Sequence, residues 1–149
     1  IVKGVIESYA PGERKEVAMQ PNGLLWAKMD HVALTWMNAY LHGEPVTERA
    51  GYQVETNAFW YNAICFALEM ECKYGNARSQ FVKKWTGIRD LVKANYQKTF
   101  WNADHRCLAD YVDGKTEPHH WVWVRDTIRN QPLSREWRRF DIPVTPTAD

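Results

Sequence analysis

Three kinds of side chain that could do chemistry crowd into residues 34–70. These are the rings of Trp36, Trp60 and Tyr61, the amides of Asn38, Asn57 and Asn62, and the carboxylates of Glu44, Glu48 and Glu55. Flat aromatic faces beside neutral amides and a few acceptors suit a ligand that has many hydroxyls and an apolar face, as a sugar has. The same residues also have a plain structural explanation. Aromatics at helical spacing usually build core, and Asn or Glu near a helix start usually caps it.

Composition narrows the choice. Among 149 residues, 19 Lys and Arg stand against 18 Asp and Glu, a net charge of +1. No basic field exists to hold a phosphate backbone, so no nucleic-acid partner is expected. No apolar run of membrane-spanning length and no signal-like start occur, so neither membrane insertion nor export is expected and a cytoplasmic location is. The chain begins with Ile1, which reads as an excised piece or as a sequence that lacks its true start. Cys65 and Cys72, seven apart, are expected as small buried apolar residues of one helical face, in a reducing compartment. No Cys–His spacing suggests a zinc site, and neither metal nor cofactor is expected. Eight Trp are many for this length, and indoles serve large cores and sugar subsites alike.

The elements that must position these residues are mainly helices, within a single domain over 1–149. Val2, Val5, Ile6 and Tyr9 have helical spacing, and Pro11-Gly12 ends that piece. Pro21-Asn22-Gly23 predicts a turn between Val17–Met19 and Leu24–Ala27, hence a short hairpin. Asp30 and His31 fall in a loop and read as solvated. Gly43-Glu44-Pro45 and Gly51 bound a second loop. From Val54 a stripe of Val54, Ala58, Tyr61, Cys65, Leu68 and Cys72 predicts a helix, with Thr56 or Asn57 as its N-cap. Phe59, Ala63, Phe66 and Met70 form a second apolar face, so this helix is expected to be buried on most sides. Glu55, Asn62 and Glu69 make its polar line, which must meet a partner, solvent or a ligand.

Gly75-Asn76 stops that helix, and Ser79 caps another whose inner face carries Phe81, Trp85, Ile88, Val92, Tyr96 and Thr99. Leu108–Val112 predicts a short strand closed by Asp113-Gly114. His119 and His120 are adjacent and make no metal pair. Ser134 is expected to cap a short helix through Phe140, followed by an extended tail.

Two longer stretches carry more information than any of these. Leu34-Thr35-Trp36-Met37-Asn38-Ala39 resembles the L-T-W-M-D-A of the amylo-α-1,6-glucosidase domain of glycogen debranching enzymes. Val54 to Ala63, VETNAFWYNA, resembles its V-E-I-N-A-L-W-Y-N-A. Between them Val46-Thr47-Glu48-Arg49, with Gly51, parallels V-T-P-R and a glycine. Upstream N-G-L-L-W-A and downstream C-L-A-D-Y-V-D-G follow in order, so the likeness runs through about residue 114.

The resemblance implies an (α/α)6 toroid, of which this chain is a segment with short hairpin and strand insertions, the remaining barrel helices belonging to a larger catalytic domain. It implies an inverting hydrolase of α-1,6 branch points in glycogen-like α-glucans, with one carboxyl group as acid and another activating water. It places the general acid at position 38, where this chain has Asn38. An amide can hydrogen-bond the glycosidic oxygen but has no proton to give. It assigns Trp36, Glu55, Asn57, Trp60 and Asn62 to lining or supporting the sugar pocket. Glu55 is the first choice for glucose hydroxyls, and Trp60 and Tyr61 can instead brace the helix. The family's general base, in a distal helix, has no counterpart here. The Trp123–Thr127 run, similar to a W-x-R-D-T motif near the start of the family's barrel, stands at the opposite end of this chain and is read as coincidence. The alternative to a hydrolase is a catalytically impaired glucan-binding or structural helical module.

Overall fold

The computed structural model describes residues 1–11, 16–47, 49–103 and 106–113. A short helix, α1 (Val2–Glu7), leads to a hairpin of β1 (Val17–Met19) and β2 (Leu25–Ala27), paired antiparallel as Val17 with Ala27 and Met19 with Leu25. The Pro21-Asn22-Gly23 turn is where the sequence puts it. The Asn22 side chain accepts from the Leu24 N–H at 3.0 Å, and Gly23 takes the φ of +83° that a side chain would resist. A second hairpin, β3 (Tyr40–Leu41) with β4 (Glu44–Pro45), turns through Gly43. His31 Nδ1 lies 2.7–2.8 Å from the Glu44 carboxylate oxygens, which ties this hairpin to the preceding loop.

Two long helices dominate the rest: α2 (Val54–Tyr74) and α3 (Gln80–Phe100). The Ser79 hydroxyl caps α3 by accepting from the Val82 N–H, as expected. The cap expected for α2 is corrected. That helix starts at Val54 straight out of β5 (Tyr52–Gln53), so Thr56 and Asn57 lie inside its first turns. Extended Gln53 is the N-cap and makes no side-chain cap. One orphan donor of that turn, the Val54 N–H, instead donates to the Asp110 carbonyl at 3.1 Å.

The buried face of α2 is also corrected. Asn57, Trp60, Ile64, Ala67 and Leu68 face inward, whereas Val54, Ala58, Tyr61 and Cys65 are half-buried and Cys72 is exposed. The helix is not buried on most sides either, since Phe59 and Phe66 stand in solvent. Apolar residues surround α2, so periodicity alone singles out no face. The large Trp60 indole decides it by packing edge-on against Trp85 of α3 at 5.7 Å, with Tyr9 at 5.7 Å on its other side. Around this ring cluster lie Leu24, Ile64, Leu68, Phe81, Val92 and Phe100.

The strand expected over Leu108–Val112 is two pieces. β6 (Trp101–Asn102) pairs with β7 (Cys107–Leu108), while β8 (Tyr111–Val112) pairs with β5. The Ala109 N–H still bonds the Phe100 carbonyl in register with the β6–β7 pairing, and the partner changes at Asp110, whose side chain turns to Arg49. The described chain is therefore helix-rich with short two- and three-residue strands. Among the described residues no helix is long and apolar enough to cross a membrane. The Ser134–Phe140 helix, the tail, His119, His120 and the Trp123–Thr127 run lie outside the described residues.

Candidate functional site

The loop that carries Trp36 and Asn38 is held at its base by two contacts. The Ala33 N–H donates to the Tyr40 hydroxyl at 2.8 Å, closing the loop on itself. Thr35 Oγ1 accepts from Arg49 Nη1 at 3.2 Å, fastening the loop to the body of the protein. Trp36 and Asn38 are left exposed, Trp36 by 70%.

Arg49 is the hub. Its side chain is 1% exposed and meets two carboxylates. Nη1 and Nη2 donate to the two oxygens of Glu55 at 2.5 and 2.8 Å. Nε and Nη2 donate to the two oxygens of Asp110 at 2.8 Å each, and Nη2 also reaches the Asp110 carbonyl at 3.1 Å. Such paired, charge-assisted forks fix orientation as well as attraction. Gln53 supports the same point by donating to the Arg49 carbonyl.

Glu55 opens α2, where the helix N-terminus favours a negative group. Partial burial pushes its carboxyl pKa up. The hydrogen bonds and charge of Arg49, a backbone N–H and the Trp36 indole outweigh that burial and hold it below the ordinary value. Tyr96 of α3 sits near enough for burial and the Glu55 charge to raise its own pKa, and its hydroxyl donates to the Val54 carbonyl. The Trp36 indole thus lies close enough to help lower the Glu55 pKa, with Asn38 two residues along the same exposed loop.

The other expected residues lie elsewhere. Asn57 is fully buried, and Trp60 is 4% exposed with its indole N–H on the Gly23 carbonyl at 3.1 Å. Both brace the hairpin against α2 from buried positions. Asn62 is exposed, but it lines a separate shallow cleft of about 300 Å³ between α2 and α3, with Ala58, Tyr61, Lys93, Tyr96 and Gln97. The cavity beside Arg49 and Thr35 is only about 10 Å³, room for roughly one water.

Sequence reasoning gave no role to Thr35, Arg49 or Asp110. Each stands inside one of the stretches quoted above, and a signal was present. A lone arginine and a lone aspartate in otherwise apolar or turn-forming stretches need partners once buried. Among the described residues no group of three His, Cys, Asp or Glu side chains is placed to hold a metal ion.

No curated protein and no solved structure matches the chain. A family model described as amylo-alpha-1,6-glucosidase matches residues 1–127, most of the sequence, and the chain belongs to that family.

Proposed function

We propose that this chain is a segment of a glycogen-debranching α-1,6-glucosidase domain of (α/α)6 architecture, and that it holds the glucose of an α-glucan branch stub against Trp36 and Glu55. The observation that carries the reading is the pairing of an exposed indole with an ionised carboxylate held in place from behind, on the loop and helix start that match the family. The indole offers a face for the pyranose, and the carboxylate accepts hydrogen bonds from its hydroxyls. Phe59 and Phe66, apolar and exposed, suit a helix that meets further barrel helices. In the family's inverting reaction one carboxyl group protonates the leaving oxygen while another activates water on the opposite face.

One observation favours a second reading, a glucan-binding module with impaired catalysis. Asn38 has no proton to donate. Glu55 cannot stand in for it, because Arg49 keeps that carboxylate ionised. Titration calorimetry with isomaltose tests both readings. Binding that weakens by about 1.5–3 kcal/mol in Glu55→Gln, the range for hydrogen bonds to a charged group, supports the site. Unchanged affinity removes Glu55 from it. Release of glucose by the native protein then separates the hydrolase from the binding module.

A further inference from the structure

Arg49 lies behind Glu55, and no N–H is left over to reach a ligand. Its guanidinium has five N–H bonds. Nε serves Asp110, Nη1 serves Thr35 and Glu55, and the two hydrogens of Nη2 are shared among Glu55 and two oxygens of Asp110. Each oxygen of Glu55 takes one of these bonds. Each oxygen has a second lone pair, and the Trp36 indole also bears on the carboxylate.

We propose that Arg49 is the positioning residue of the sugar site, binding no substrate itself but fixing the Glu55 carboxylate as an acceptor beside Trp36 and fastening both to Asp110. The inference rests on the function proposed above. It deepens that reading by stating why Glu55 is competent: without its guanidinium the half-buried carboxylate would lose both forked bonds that fix it as an acceptor. The charged or titratable groups that face Glu55 among the described residues are Arg49, Asp110 and Tyr96. Of these, only Arg49 favours the ionised form.

The role predicts a pH signature that a purely structural arginine does not give. In the native protein, isomaltose affinity stays level from pH 8 down to about the ordinary glutamate range and falls only below it. In Arg49→Lys, one ammonium cannot fork onto two carboxylates. Affinity there falls on the order of tenfold or more at neutral pH, and falls further as pH drops through a raised Glu55 pKa. In Arg49→Lys/Glu55→Gln that extra pH dependence disappears. Calorimetry across pH reads all three proteins, with native circular dichroism as the folding control.

If Arg49→Lys does not fold, the native profile decides by itself. A midpoint for loss of affinity at or above the ordinary glutamate value overturns the proposal, and a midpoint below it supports the proposal. Native binding that is lost in Glu55→Gln but unchanged in Arg49→Lys overturns this inference alone. No isomaltose binding by the native protein at any pH overturns it together with the function it rests on.

Discussion

Asn57 takes both backbone hydrogen bonds that Leu25 offers. Its Oδ1 accepts from the Leu25 N–H at 2.7 Å, and its Nδ2 donates to the Leu25 carbonyl at 3.0 Å. A side chain on α2 thereby completes the edge of β2 as another strand would. Nδ2 also donates to the Gln53 carbonyl at 3.0 Å, so a single buried amide joins strand, strand end and helix.

Replacing Asn57 by Leu keeps most of the volume and removes every one of these bonds. Leu25 would keep a buried N–H and carbonyl with no partner, at about 1–3 kcal/mol for each unsatisfied group. We expect Asn57→Leu to lose at least about 2 kcal/mol in urea unfolding. A loss below about 0.5 kcal/mol would mean that water replaces the clamp.

Stability should depend on acid through Glu55. Its folded pKa lies below the ordinary 4.5, so below that value the unfolded chain binds more protons than the native one. The contribution is therefore complete above about 4.5 and is lost as pH falls from there through the lowered folded value. The stability gap between native protein and Glu55→Gln should be open at pH 7 and close as pH drops below the ordinary range. A gap that stays constant to pH 3 would contradict the coupling to Arg49.

On the function proposed above, Asn38→Asp should create or greatly raise α-1,6-glucosidase activity. The change is nearly isosteric and the position is exposed, so packing should barely alter. A carboxyl group there can give a proton to the leaving oxygen, an effect typically worth about 10²–10⁴-fold. Because the acid must be protonated, the rate should fall as pH rises through its pKa. A variant that binds oligosaccharide yet releases glucose no faster than the native protein removes position 38 as the acid.

Phe59 and Phe66 are 72% and 52% exposed, on a face of α2 turned away from the Trp60–Trp85 cluster. This chain should self-associate through that face. Phe59→Ser/Phe66→Ser should reduce the self-association seen in sedimentation without lowering the melting temperature by more than about 2 °C. A soluble monomer with a sharp melt in the unsubstituted segment would count against a barrel segment that needs neighbours.

What could be read in the sequence was local. Pro21-Asn22-Gly23 sets its turn, and Ser79 caps α3 through a bond three residues long. The inward face of α2 could not be read, because Tyr61 and Cys65 are as plausible inside as Trp60 and Ile64 until α3 supplies Trp85. The clamp that Asn57 makes on Leu25 was not legible for a related reason. A buried amide satisfied by the backbone of residue 25 and one waiting for a ligand have the same letter and the same neighbours. The Arg49 cluster stayed hidden because its two carboxylates lie 6 and 61 positions away, and only the near one falls within a helix-length window.

That difference in separation also sets an order of assembly. Glu55 reaches Arg49 by closing a short loop, whereas Asp110 must bring the far side of both long helices back to the same guanidinium, a slower and later closure. During synthesis Arg49 and Glu55 leave the ribosome well before Asp110 exists. For that interval the arginine has half its forks empty and Val54 lacks the carbonyl that receives its N–H. The Arg49 cluster can thus be finished only after residue 110 has emerged, and a chain stalled within α3 carries Arg49 and Glu55 without the second carboxylate that anchors them.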